Sequence, residues 1–235
     1  MPYSRRDAPN CDWCQFKKNC LYDLLGTKDA KKAWREMRLA NAFKRGEVVF
    51  HEGAMPQNVY VVCTGKVKVY KSSRTGQQLT TRVESPGDLL GHVTLLANDG
   101  PYTATGEALD PSIVSMVDSR NFYDFLTRFP QAGLALMREI SRDVRRGENK
   151  ARDIAFKSAR GRLADTLLRM MTPKKPYPVV AGIKRRDLAE MAGLTIETTV
   201  RLLKDFGERE ILVKKDKDLM IIGEERLRAL AGSAS

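Results

Sequence analysis

The sequence predicts an α+β fold: a cysteine-bearing arm, an N-terminal β-roll, one long dimerisation helix and a C-terminal winged helix-turn-helix. Three observations predict it. Between about residues 44 and 118, short β-branched runs alternate with glycine turns. After Pro130, apolar residues recur at 3-4-3-4-3 spacing. Residues 183–222 read as helix, glycine turn, helix and hairpin. The expected domains are an arm over 1–26, a roll over 27–129, the long helix over 130–158 and the winged domain over 159–235.

The arm holds "CDWCQFKKNC", three of the four cysteines within ten residues. "KDAKKAWREMRLAN" (28–41) predicts a polar helix anchored by Trp34, Met37 and Leu39. Next come "EVVF", "NVYVVCTGKVKVYKSS", "TTRVE" and "PSIVSMVD", bounded by Gly53, Gly65, Gly76 and Gly87. Such runs are strands, and their even spacing suits a roll or barrel. Helix resumes near 120 with "RNFYDFLTRFP". In the long helix, Met137, Ile140, Val144, Gly147, Ala151 and Ile154 form a heptad seam. A helix lying on the roll needs a similar stripe, so both readings stand. Gly147 costs about 1 kcal/mol relative to Ala in a helix interior, which makes pairing there marginal. "ARGRLADTLLRMM" (159–171) is a second amphipathic helix, and "TPKKPYP" breaks it.

Net charge is +12 and the pI about 9.6. Residues 131–235 carry 23 Lys/Arg against 15 Asp/Glu, so most of the excess lies toward the C-terminus. A polyanion such as nucleic acid is the expected partner. No apolar run reaches membrane-spanning length, and "MPYSRRDAPN" lacks the apolar core of a secretory signal. The expected location is cytoplasmic, where thiols stay reduced and clustered cysteines suggest metal or redox chemistry.

In "IKRRDLAEMAGLTIETTVRLLKDFGEREILVKKDKDLMII" (183–222), Leu188 and Ala189 pack the first helix, and Gly193 permits the turn. Thr195 is a natural N-cap for the second helix. Thr199, Leu202, Leu203 and Phe206 fall on one face; Ile196, Glu197, Val200, Arg201 and Lys204 fall on the other. Ile196 and Val200 are odd on a solvated surface but can meet thymine methyls in a major groove. Arg201 can bond guanine and Glu197 can accept from cytosine. A helical pair packed on another domain is the plain alternative. Lys214, Lys215 and Lys217 on the hairpin could reach phosphates.

With "TIETTVRLL", "GRLADTLL" and "PGDLLG", the chain resembles the cyclic-AMP-receptor/FNR (CRP/FNR) family of bacterial transcription regulators over about residues 20–230. The resemblance implies a jelly roll like that of cyclic-nucleotide-binding domains, a homodimer, and a near-palindromic site on double-stranded DNA. It also implies RNA polymerase as a partner. Glu197, Thr198 and Arg201 match the family's recognition helix. The cyclic-nucleotide binders use a Gly-Glu pair and a downstream Arg-Ser/Thr. Here His92 stands at the glutamate, Tyr102 falls near the arginine, and no arginine lies between Arg82 and Arg120. A cyclic phosphate would lack its charge-assisted partner.

Cys11, Cys14 and Cys20 are spaced C-x2-C-x5-C, as in the arm of oxygen-responsive FNR regulators. That likeness implies a [4Fe–4S] cluster supporting dimerisation and DNA binding, sensitive to oxygen or nitric oxide. The family's fourth cysteine falls near Ser115 here, so Cys63 is the candidate fourth ligand. His51, His92, an arm carboxylate, an exogenous thiol or water are substitutes. Zinc, a thiol switch activated by Lys17 and Lys18, heme, a small-molecule signal, or a disordered arm with incidental cysteines remain alternatives. The motifs do not lead to an enzyme, which is the rival class. Two histidines 41 positions apart give no cupin-like site, and neither a nucleophile elbow nor a Gly-rich phosphate loop occurs.

Overall fold

A computed structural model describes residues 6, 7 and 9–232. Contacts divide the chain into two units: Met1–Thr75 with Thr81–Arg146, and Gly76–Thr80 with Gly147–Ser235.

The first unit opens with β1 (Arg6–Asp7), a single 3-10 turn at Lys17–Asn19, α1 (Leu21–Leu24) and α2 (Lys28–Glu36). Thr27 starts α2, its Oγ1 accepting from Ala30 N at 3.2 Å. The helix stops at Glu36 rather than at 41, because Leu39–Phe43 form strand β2. Ala40 is fully buried there and pairs with Ser115. Tertiary pairing overrides helix propensity in this stretch. Leu39, an expected anchor, is exposed; Trp34 is fully buried against Phe122 and Phe125.

The roll continues through β3 (Val48–Phe50), β4 (Asn58–Thr64), β5 (Val67–Ser72), β6 (Gln78–Glu84) and β7 (Leu89–Leu90). After α3 (His92–Ala97) come β8 (Thr105–Ala108), β9 (Ser112–Asp118) and α4 (Ser119–Arg128). One sheet has the order β1-β2-β9-β4-β7 and the other β3-β8-β5-β6. Two apolar clusters lie on opposite faces of β4. Tyr60 and Val62 join Phe50, Val69 and Val114; Val59 and Val61 join Trp34, Phe122 and Leu136. Burial on both faces explains why β4 reads as a continuous apolar run. Neither α3 nor β8 was expected, each being too short to display a period.

Helix α5 (Pro130–Phe156) begins on a proline, whose fixed φ suits a first helical position. Ala132, Ala135 and Leu136 pack into the first unit's core. Leu134, Met137, Val144 and Ile154 are exposed. The residues on the roll thus differ from Met137 and Val144 of the expected seam, which lie on an exposed apolar face. Ile140, assigned to the seam by spacing, is half-buried against the roll's core.

In the second unit, Ser158 breaks the chain by N-capping α6 (Ala159–Met170), its Oγ accepting from Gly161 N at 3.1 Å. Then follow β10 (Val179–Val180), α7 (Arg185–Ala192), α8 (Ile196–Glu208), β11 (Leu212–Lys215), β12 (Asp218–Ile221) and α9 (Glu224–Gly232). The sheet order is β10-β12-β11. Helix α9 lies beyond the expected elements. No helix among the described residues is long and apolar enough to cross a membrane.

Candidate functional site

The arm folds by local bonds. Cys11 O accepts from Cys14 N at 3.3 Å and Cys14 O from Lys17 N at 3.2 Å, so the C-x2-C segment turns back on itself. Asp12 anchors the turn, taking bonds from the Tyr22 hydroxyl and the Arg35 guanidinium. Cys11, Leu21, Tyr22 and Leu25 are buried in the cluster that also holds Trp34 and Leu136.

All four cysteines meet. Cys11, Cys14, Cys20 and Cys63 line one pocket. Cys63 reaches it because strand alternation puts its side chain on the face of Val59 and Val61. A register irregularity between Val62 and Thr64 brackets it in the pairing with β9. Ser115, where the family likeness expects a fourth thiol, lies on the neighbouring strand opposite Val61. Gly87 closes the cavity's rim. Its φ is +105°, and a Cβ there would sit 2.6 Å from Asn19 O, so only glycine lets the arm lie this close. All four thiols are free. Burial pushes Cys20 up to about 12 and also raises Cys11, with the Arg38 guanidinium opposing in both. Among the described residues, no three His, Cys, Asp or Glu side chains are placed to hold a single metal ion. Four soft donors around a buried cavity suit a thiolate-held iron–sulfur group.

The histidines stand elsewhere. His51 is exposed. His92 is fully buried, its Nε2 lying 3.3 Å from Asp143 Oδ2. It belongs to an ionic cluster in which Arg82 Nε is 3.2 Å from Glu84 Oε1 and Arg146 Nη1 is 3.3 Å from Glu84 Oε2. Both guanidiniums also pair with Asp143. Burial pushes Glu84 up to about 8 despite the two arginines. Asp143 is buried as well, yet the His92 contact and the arginines hold it down at about 2. Tyr102 donates to Asn58 O at 2.7 Å and packs on Phe50. Arg82 and Arg146 thus stand nearby, but carboxylates of the same chain occupy them.

In the second unit, Gly193 ends α7 with φ +63°, the left-handed conformation that glycine adopts without strain. Thr195 caps α8, accepting from Thr198 N at 3.2 Å. Thr199, Leu202, Leu203 and Phe206 are buried. Ile196 and Val200 are 47% and 49% exposed, and Glu197, Arg201 and Lys204 share that outer face. Thr198 is half-buried. Lys214 and Lys215 end β11 and Lys217 sits in the hairpin turn, all three exposed.

Sequence reasoning missed Arg162, the second residue of the quoted "GRLADTLL". It donates to Ala192 O (3.0 Å), Lys157 O (2.9 Å), Ile154 O (3.3 Å) and Gly193 O (3.4 Å). It thereby satisfies carbonyls at the ends of α5 and α7 that no helix bond can reach. Lys150 donates to Met191 O beside it, and burial lowers that ammonium to about 8.

The family described as a cyclic nucleotide-binding domain matches residues 40–129, and a Crp-like helix-turn-helix domain matches 161–230. The transcriptional activator protein Anr of Pseudomonas protegens is 24% identical over 230 residues, 96% of this chain and 93% of that protein. The fumarate and nitrate reduction regulatory protein of Vibrio cholerae is 25% identical over 230 residues, 96% and 91% of the two chains. Among solved structures, FixK2 of Bradyrhizobium japonicum superposes with a TM-score of 0.70 at 24% identity, covering 83% of this chain and 98% of its own. That likeness concerns the fold.

Proposed function

The chain belongs to the CRP/FNR family of transcription regulators, and on that premise we propose that it senses oxygen, nitric oxide or redox state through an iron–sulfur cluster held by Cys11, Cys14, Cys20 and Cys63. The observation that carries the reading is the convergence of all four cysteines on one cavity. The likeness to the fumarate and nitrate reduction regulatory protein supports it further. When bound, the cluster supplies oxygen-labile iron chemistry beside the arm.

The chain's own residues carry the rest. Cys11 and Leu136 of α5 lie in one apolar cluster, so packing of the arm bears on how α5 is held. The exposed α5 stripe pairs with a second copy and brings two α8 helices about one duplex turn, roughly 34 Å, apart on a near-palindromic site. Thr195, Ile196, Glu197, Thr198, Val200, Arg201 and Lys204 meet the DNA, bases and backbone together, and RNA polymerase is recruited by the bound dimer.

The test is anaerobic purification with an absorption spectrum and iron and acid-labile sulfide assays, repeated on Cys63→Ser. A broad band near about 400 nm with equal iron and sulfide, lost in the variant, is expected for a cysteine-ligated cluster. Colourless wild-type protein without iron or sulfide would overturn the cluster reading. Retention of the cluster by Cys63→Ser would remove Cys63 from the ligand set.

A further inference from the structure

We propose that Arg38 is the charge partner of the cysteine pocket, a buried guanidinium that balances the negative charge of a thiolate-ligated iron–sulfur group. This rests on the reading that the four cysteines hold such a group.

Arg38 lines the same cavity as the four thiols and is only 6% exposed. Its bonds go to neutral acceptors: Nη2 donates to Pro9 O at 3.1 Å and Nη1 to Ser115 Oγ at 3.4 Å. Its buried Nε has no hydrogen-bond partner, and no carboxylate of residues 9–232 pairs with it. Carbonyl and hydroxyl oxygens orient a guanidinium but leave its charge uncompensated. A buried charge in that condition is costly unless something anionic shares the site. The other cations of the first unit with restricted exposure are treated differently. Arg82 holds two carboxylates, Arg146 three, and Lys68 lies 3.5 Å from Glu107.

The candidates for the missing anion are the thiols themselves. Metal binding takes Cys as thiolate, and four thiolates on one iron–sulfur group leave a net negative charge in the cavity. The planar guanidinium can keep its bonds to Pro9 and Ser115 while turning an N–H toward that charge. The arrangement also accounts for Ser115. Where the family likeness places a fourth cysteine, this chain has a hydroxyl that orients Arg38, and Cys63 on the adjacent strand supplies the thiol. Arg38 is therefore a positioning residue, acting through charge and hydrogen bonding on the group the cysteines hold.

The experiment compares full-length wild type, Arg38→Met and Arg38→Lys after anaerobic reconstitution with iron and sulfide. Iron and sulfide per chain are measured, then the rate of iron loss to a ferrous chelator, then the thermal midpoint of each metal-free protein. Arg38→Met is expected to lose iron about 10- to 100-fold faster, the usual cost of removing a group behind the metal ligands. Arg38→Lys, which keeps the charge, is expected to recover most of the retention. The metal-free Arg38→Met protein is expected to melt no lower than wild type, since an uncompensated buried cation has been removed. Wild-type retention by Arg38→Met would overturn the proposal. Equal loss in both variants together with a lowered metal-free midpoint would also overturn it, by making Arg38 a packing residue. A wild type that takes up neither iron nor sulfide fails the parent reading itself, which is a distinct result from a cluster that binds but ignores Arg38.

Discussion

Arg201 projects from the outer face of α8, exposed and without an internal partner among the described residues, one turn beyond Glu197 and beside Val200. A guanidinium left free on a rigid helix is available for bidentate contact with a guanine. Arg201→Ala should weaken operator binding by about 1–3 kcal/mol and relax preference at a single base pair. Binding titrations against an operator and its single-base variants check this. A loss uniform across all sequences would mean that Arg201 touches only phosphate. The same helix shows what residue-level reasoning can reach. The Thr195 cap, the buried set Thr199, Leu202, Leu203 and Phe206, and the exposed set all follow from one period of 3.6. Arg162 could not be reached that way, because its four acceptors are backbone carbonyls contributed by two other helices.

Helix α5 is the element on which the dimer reading depends. Met137 and Val144, each 56% exposed, lie on a face separate from Ala132, Ala135 and Leu136. An exposed apolar stripe of that length is unfavourable in water unless a partner covers it. Gly147 lies on the stripe, and a Cβ added there would meet nothing within 4 Å. Gly147→Ala should therefore gain about 1 kcal/mol of helix stability without a clash. The expected outcome is a monomer–dimer equilibrium shifted toward dimer and less dependent on the cluster, measured by analytical ultracentrifugation. An unchanged equilibrium would count against the stripe as the seam. The α2–β2 boundary gives the opposite lesson at this scale. "EMRLAN" is compatible with helix, yet pairing with β9 makes Leu39–Asn41 strand, and Arg38 just before it is buried.

For the molecule as a whole, pH acts through the ionic cluster that joins β6, α3 and α5. Glu84 faces Arg82, Asp88, Asp143 and Arg146, and burial raises it from 4.5 to about 8. The folded state then holds a proton that the unfolded state has released, so stability falls as pH rises from about 4.5 to 8. Asp143, lowered from 3.8 to about 2, contributes stability present above pH 3.8 and lost as pH falls toward 2. Glu84→Gln should flatten the decline between pH 4.5 and 8 in urea-unfolding midpoints. Both tryptophans, Trp13 and Trp34, lie in the first unit and report on it. A decline of unchanged slope would place the titrating group elsewhere.

The sequence alone determined the order of roll, long helix and winged domain, because periodicity, glycine turns and caps are local and survive without a partner. It likewise determined the face of α8 and singled out the cysteines by spacing. Only the tertiary structure decided that Cys63, far along the chain and on an unremarkable strand, meets the other three at one cavity. It alone placed Arg38 among them and His92 away from them, in the cluster with Asp143. The physical reason is the same in each case. Which side chains share a buried space depends on strand pairing and on the burial of charge, and neither is written within a few residues of the groups it brings together.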